Sequence, residues 1–451
     1  MDLNTYFENL KGQRVLVLGL GVSNRPLVRL LLQHGIQVVG CDKTPREALD
    51  EELLELERQG LELHLGEGYL QDLQGDVAFR TPGLHPLTPE LCTLRSSGCR
   101  ITSEMEAFFQ VCPCSIIGIT GSDGKTTTTT LISEMLKHAC YTVWIGGNIG
   151  TPLLDKADEM KPDHKVVVEL SSFQLMDLHY SPHIAVVTNL TPNHLDVHRD
   201  MEEYIEAKTH IFTHQQEGDI LIVNEDNDIT HDFRAVGQRK SFSRQREATA
   251  YLKDGRIFLH GEPVLEQTDI LLPGIHNVEN YMTAILAVDG LVSAEDIRHV
   301  AKNFGGVEHR IELVRIKDGV RFYNDSIASS PNRTIAGLRS FEEKVILIAG
   351  GYDKKLEFDA LGEEIVRSVK RLICTGATGA KIAEATRNAP DYAVGQPEIL
   401  MIDDFYDAVH QAAAGAQEGD VVLLSPAGPA FDRFKNFMVR GKEFKKTVME
   451  L

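Results

Sequence analysis

The sequence predicts an α/β protein of three consecutive domains, and three observations carry that prediction. Short apolar runs alternate with helix-periodic stretches, in three successive series along the chain. The 451 residues are too many for one core and suit about three domains of ordinary size. Glycine-rich turns follow the first apolar run of the first and second series, at the strand ends where open parallel sheets collect their ligands.

In the first series Arg14–Gly19 reads as a strand, Pro26–His34 as a helix, Gln37–Asp42 as a second strand and Asp76–Thr81 as a further run. The second series comprises Ser115–Thr120, Val143–Gly146, Val166–Leu170, Ala185–Asn189 and Ile220–Asn224. The third comprises Lys344–Ala349, Arg371–Thr375, Ile399–Ile402 and Asp420–Ser425. Such alternation means parallel sheets covered by helices on both faces. Around Ala250–Leu272 the runs become short and turn-bounded, which predicts a small antiparallel patch within the middle domain. Boundaries fall near Val111–Ser115, where the chain passes through Cys-Pro-Cys, and near Asn303–Gly306, where a Gly-Gly pair ends a helix. They divide the chain into residues 1–112, 113–305 and 306–451.

A formal charge of −20 disfavours nucleic acid or an anionic membrane as the partner, although a local cluster of N–H groups and lysines can still hold a small anion. Seven scattered cysteines without a C-x-x-C pair read as reduced thiols. The first residues show no apolar signal segment, and no stretch approaches the roughly 18 apolar residues of a membrane span. A soluble, cytoplasmic monomer is expected.

The strongest motif is Gly118-Ile119-Thr120-Gly121-Ser122-Asp123-Gly124-Lys125-Thr126, between a strand and a helix. Gly121, Ser122, Asp123 and Gly124 aim backbone N–H groups at a phosphate, and the helix N-terminus adds positive potential. Lys125 supplies a point charge, Thr126 a hydroxyl for Mg²⁺, and Thr127 also faces the nucleotide. Ile119 stands where the generic P-loop has glycine, so this is a shorter variant. Glu169, at the end of a strand facing that loop, is placed to hold Mg²⁺. His194, Asp196 and His198 would share one face of a strand and suggest zinc, but Thr191-Pro192-Asn193 implies a loop. Asn277 and Asn280 share a face at a helix start, where amides either cap the helix or read an adenine edge. Gly19-Leu20-Gly21-Val22-Ser23-Asn24, with Asp42 ending the next strand, is two-thirds of a dinucleotide fingerprint. An NAD-dependent oxidoreductase therefore remains a reading from another class, against which Asn24 in place of the third glycine counts.

Together these segments resemble the Mur ligases, ATP-dependent enzymes that build the peptide of bacterial cell-wall precursors, and the resemblance spans all three domains. It implies a Rossmann-like N-terminal domain for the UDP-sugar, a central P-loop-type domain for ATP, and a Rossmann-like C-terminal domain for the incoming amino acid. It implies two Mg²⁺ sites drawing on Thr126, Glu169, His194 and Lys208, the last carbamylated by CO₂, with Asp196 and His198 structural or on the surface. Carbamylation needs a neutral amine, so Lys208 should be partly buried with a depressed pKa. The H-N-x-x-N match sets Asn277 and Asn280 on the adenine. His309-Arg310 and Asn324-Asp325-Ser326 match likewise, with Arg310 on the γ-phosphate and Asp325 on the ribose. Val22, Ser23 and Asn24 are implied at the UDP diphosphate, and Asp42, Lys43 and Thr44 at the uracil. Thr81, Asn148 and His194 complete that site.

Members that add D-glutamate read N-D-S-K-x-T-N where this chain has Ile327 for the lysine and Ser329 for the threonine. Their S-P-A-x-A-S becomes Ser425-Pro426-Ala427-Gly428-Pro429-Ala430, so Ala430 stands at the substrate serine, followed by Phe431. Lys354 is implied at the side-chain carboxylate and Phe437 as a packing contact. The Phe434-Lys435-Asn436-Phe437 run still points to this branch. The implied reaction joins D-glutamate to UDP-N-acetylmuramoyl-L-alanine through an acyl phosphate, with Lys125, Lys208, His194 and Arg310 at the reacting atoms. A related ligase adding another amino acid, such as L-glutamate, is the alternative. Because an acyl phosphate hydrolyses in water, closure about Asn303–Val307 is expected.

Overall fold

The computed structural model describes residues 1–21, 23–193 and 197–451. It is a mixed α/β molecule with mostly parallel sheets in three domains. The chain forms two compact units. One comprises Met1–Gln267 with Glu279–Val300 and contains the first two sheets; the other comprises Thr268–Val278 with Ala301–Leu451 and contains the third.

The first sheet is built from β1 (Arg14–Leu18), β2 (Gln37–Asp42), β3 (Glu62–Leu65), β4 (Val77–Arg80) and β5 (Arg100–Thr102). Their order is β3-β2-β1-β4-β5, every pair parallel. The order reverses at β1, so the Gly19–Asn24 turn sits at a topological switch point. Gly19 has φ +93°, and a Cβ there would lie 2.8 Å from Thr81 Cγ2, so glycine alone permits the close approach of the two strand ends. The following helix is Asn24–Gln33 rather than Pro26–His34. Asn24 starts it because its side-chain amide donates to Gly19 O at 2.8 Å.

The central sheet contains β6 (Ser115–Thr120), β7 (Val143–Gly147), β8 (Lys165–Glu169), β9 (Ile184–Val187), β10 (Ile220–Asn224), β11 (Gln238–Ser243), β12 (Ala250–Lys253), β13 (Arg256–Leu259) and β14 (Glu262–Glu266). Their order is β14-β13-β12-β11-β10-β9-β6-β8-β7. The strands from β6 to β12 pair in parallel, whereas β12–β13 and β13–β14 are antiparallel, which is the expected patch.

The third sheet is built from β15 (Glu312–Lys317), β16 (Val320–Asn324), β17 (Val345–Ala349), β18 (Val369–Cys374), β19 (Glu398–Met401) and β20 (Val421–Leu424). Its order is β15-β16-β20-β17-β18-β19, parallel except for the β15–β16 hairpin. Along β17, Val345 and Leu347 join one apolar cluster while Ile346 and Ile348 join another. Both faces are therefore buried. Each such side chain contributes about 1.5–3 kcal/mol, which explains why the run is apolar without alternation. Among the described residues all seven cysteines are unpaired, and no helix is long and apolar enough to cross a membrane.

Candidate active site

The glycine loop leaves the end of β6 and enters the helix Lys125–His138. Gly121 has φ +147°, and a Cβ there would meet Thr188 Oγ1 at 1.9 Å; Gly124 has φ +78°, with Asn280 Oδ1 2.4 Å from the corresponding point. These two positions therefore exclude side chains. Ser122 Oγ bonds the hydroxyl of Tyr204 and the carbonyl of Thr191, each at 2.9 Å. Asp123 N donates to Asn189 Oδ1 at 3.0 Å, and Asp123 O accepts from Thr188 Oγ1 at 2.6 Å. The loop is thus fixed by the segment that follows β9 and by Tyr204 on the helix Met201–Thr213. Lys125 Nζ folds back onto the carbonyls of Gly121 (2.9 Å) and Ser122 (2.8 Å). Thr127 is half-buried on the same first turn.

Glu169 ends β8 and is buried. One of its oxygens accepts the Thr126 hydroxyl at 2.8 Å and the other the Asn148 amide at 2.9 Å. Lys208, on the helix Met201–Thr213, is also buried. Its Nζ donates to Gly121 O at 3.0 Å and Thr120 Oγ1 at 3.2 Å, and lies 4.9 Å from the centre of the Tyr204 ring. Burial, reinforced by the nearby Lys125 charge and opposed by Glu169 and Asp123, holds the Lys208 pKa well below the usual ammonium range. The Glu169 carboxylate and the Thr126 hydroxyl are hard oxygen donors of the kind Mg²⁺ prefers, so these residues fit the ion. His194 and Asp196 lie outside the described residues. His198 is buried rather than on the surface: its Nε2 is 2.9 Å from Ser172 Oγ and its ring stacks on Phe173 at 5.3 Å.

Asn280 faces the loop, its Oδ1 accepting from Thr128 Oγ1 at 3.4 Å. Asn277, in the other unit, donates to Pro273 O at 2.6 Å. Both amides are buried.

A cavity of about 240 Å³ opens between the first and central sheets. Ser23, Asn24 and Pro82 line one wall, and Asn148, Gly150 and Gln174 the other. At the end of β2, Asp42 accepts from Leu20 N (2.7 Å) and from the N–H and hydroxyl of Thr44 (2.9 and 2.7 Å). Burial pushes this carboxyl up, but those bonds outweigh it and leave the pKa below its ordinary value. Lys43 is exposed, and Val22 lies outside the described residues.

In the unit carrying the third sheet, Asp325 is buried beyond β16, accepting from Ser425 Oγ at 2.8 Å and Ile311 N at 3.3 Å. Burial pushes its carboxyl up to about 7 despite those bonds. His309 precedes Arg310 in a left-handed conformation (φ +67°) and bonds Asn324 Nδ2 at 2.9 Å. Ser329 is half-buried, Ala430 buried, and Lys354 exposed. Phe431 is 61% exposed and meets Tyr352 edge-on. Phe437 packs edge-on to His309 at 6.0 Å.

Sequence reasoning missed two supports. Tyr204 bonds the loop and covers Lys208; its one-turn spacing from Lys208 was a usable signal. Arg440, buried, donates to Ser326 Oγ (3.0 Å), Ser326 O (2.8 Å) and Gly428 O (3.0 Å), tying together the two segments that the resemblance assigns to the amino acid. Nothing local in the sequence marked it.

The Mur ligase middle domain profile matches residues 119–288, and the profile described as Mur ligase, glutamate ligase domain matches residues 309–428. The UDP-N-acetylmuramoylalanine–D-glutamate ligase of Clostridium botulinum is 48% identical over 100% of this chain and 99% of its own length. The enzyme of the same name from Acetivibrio thermocellus is 49% identical over 99% of this chain and 98% of its own. Among solved structures, the UDP-N-acetylmuramate–alanine ligase of Thermotoga maritima superposes with a TM-score of 0.57 at 18% identity, over 97% of this chain and 99% of that one. The MurF ligase of Thermotoga maritima in complex with ADP gives a TM-score of 0.56 at 18% identity, over 100% and 99%. These two likenesses speak to the fold alone.

Proposed function

Since the chain belongs to the Mur ligase family, we propose that it is the ATP-dependent ligase that joins D-glutamate to UDP-N-acetylmuramoyl-L-alanine. The reaction serves peptidoglycan precursor synthesis in the cytoplasm. The observation that carries the reading is the buried junction at the glycine loop, where Thr126 meets Glu169 and the Lys208 amine bonds Thr120 and Gly121. The near-full-length identity to D-glutamate ligases supports the amino acid.

In this reading the alanine carboxylate attacks the γ-phosphorus of ATP and expels ADP, and the glutamate amine then attacks the carbonyl of the acyl phosphate, losing a proton as inorganic phosphate leaves and the amide forms. The loop N–H groups from Gly121 to Gly124 and the Lys125 ammonium bind the phosphates and stabilise the charge that builds on them. Asn280 presents its amide beside the loop for the base; Asn277, Arg310 and Asp325 are assigned to the nucleotide from their sequence match. Thr126, Glu169, His194 and a carbamylated Lys208 would hold magnesium at two sites, which supplies further neutralisation of phosphate charge. The cavity lined by Ser23, Asn24 and Asn148 takes the UDP-sugar, with Asp42, Lys43, Thr44 and Thr81 at its nucleotide end. Ser329, Lys354, Phe431 and Phe437 receive the amino acid, with Ala430 at the position of the customary serine.

The test is phosphate release from ATP in the presence of UDP-N-acetylmuramoyl-L-alanine, with D-glutamate, L-glutamate and other amino acids supplied in turn. Stimulation by D-glutamate alone is expected. Stimulation by a different amino acid moves the chain to another specificity, and no stimulation by any of them defeats the ligase reading.

A further inference from the structure

Arg80 ends β4 with only 2% of its surface exposed, yet its guanidinium is spent mainly on backbone carbonyls. Nη1 donates to Leu84 O (2.6 Å), Thr81 O (3.3 Å) and Pro82 O (3.4 Å), so the turn after β4 wraps around it. Nη2 donates to Phe173 O at 3.2 Å, on the short helix Ser172–Leu175 that follows Glu169. Its carboxylate partner, Asp177, stands 3.7 Å from Nε and is shared with Arg95 at 3.4 Å. The fork therefore grips one backbone element of the first domain and one of the central domain. Arg80 itself lines the cavity between them. Pro82, on the gripped turn, faces the cavity from one side, and Gln174, next to Phe173, faces it from the other. Gln174 is locked in turn, its Oε1 accepting from Ser171 N (3.0 Å) and Ser171 Oγ (2.9 Å).

We propose that Arg80 is a positioning residue for the UDP-sugar: its planar fork fixes the separation of the Thr81–Leu84 turn from the Phe173–Gln174 wall, and so the width of the cavity. The inference rests on reading that cavity as the UDP-sugar site. A guanidinium suits the task because its donors diverge in one rigid plane, whereas an ammonium is a point donor that cannot span both walls. Burying a cation whose paired carboxylate is distant and shared is costly, and the four carbonyl dipoles offset that cost only while both walls stay in register.

The experiment uses the full chain and measures KM for UDP-N-acetylmuramoyl-L-alanine and for ATP, together with the thermal shift that the UDP-sugar alone produces. Arg80→Lys, which keeps the charge and most of the stem, is expected to raise KM for the UDP-sugar by about tenfold or more and to shrink the thermal shift. KM for ATP should stay within about twofold. Arg80→Gln should show a larger change in the same direction; if it fails to fold, Arg80→Lys decides. An unchanged KM for the UDP-sugar in Arg80→Lys, or equal rises in both KM values, overturns the inference while the functional reading stands. A wild-type protein that neither turns over nor shifts with the UDP-sugar defeats the functional reading, and this inference with it.

Discussion

Asn148 donates its side-chain amide to one oxygen of Glu169, 2.9 Å away, while the other oxygen of that carboxylate accepts the hydroxyl of Thr126. A residue of the cavity wall and a residue of the glycine loop are thus joined through one buried acid. Asn148→Leu should leave one oxygen of Glu169 without its donor, lowering turnover by about 10–100-fold and raising the magnesium concentration needed for half-maximal rate. A magnesium titration of the variant with unaltered midpoint and rate would show that the amide merely fills space.

The Lys208 amine donates to the Thr120 hydroxyl oxygen and the Gly121 carbonyl. Lys208→Ala is expected to abolish turnover and to recover part of it when short carboxylic acids are added, because they can occupy the vacated oxygen position. Undiminished turnover in the unsupplemented variant removes Lys208 from the chemistry.

Gly121 admits no Cβ, since Thr188 Oγ1 stands 1.9 Å from where one would lie and φ is +147°. Gly121→Ala should destabilise the protein by about 1–3 kcal/mol, visible as a lowered denaturation midpoint, and should weaken ATP binding. A variant with the wild-type midpoint would mean that the loop has another accessible conformation.

Glu104 begins the helix Glu104–Val111 and accepts from Leu154 N at 3.3 Å; burial pushes its carboxyl from 4.5 to about 7. The unfolded chain gives up this proton first. The favourable contribution of the protonated group is therefore complete below pH 4.5 and disappears as pH rises through 7. Glu104→Gln keeps a neutral acceptor, so the variant should gain on the wild type across that window, to about 3 kcal/mol at pH 8. Denaturant melts at several pH values measure the difference; a gap that does not change with pH would place the ionised form at no disadvantage in the folded protein.

The buried central strands were legible because their side chains face apolar clusters on both sides. Lys344–Ala349 and Val166–Leu170 could be read as strands without any alternation. The strands that escaped notice are peripheral or polar. Glu62–Leu65 and Arg100–Thr102 are short edges of the first sheet, half-exposed, and Gln238–Ser243 carries Gln, Arg, Lys and Ser. Glu312–Lys317 and Val320–Asn324 form a hairpin whose alternating pattern is weaker than a continuous apolar run. At the site, Gly121, Gly124, Lys125, Thr126 and Glu169 could be read from local chemistry. Lys208 could not, because one lysine on a helix carries no local sign of burial and only the family pattern singled it out. Arg80 reaches Phe173 and Arg440 reaches Ser326, contacts made far along the chain that spacing cannot disclose.

β6 lies between β8 and β9, although both are synthesised after it. A nascent chain therefore carries the glycine loop long before Glu169, Thr188 and Lys208 emerge to brace it. A peptide spanning only Ser115–His138 would lack every one of these supports. Recognition of ATP is consequently a late acquisition during biosynthesis, withheld until the flanking strands have paired.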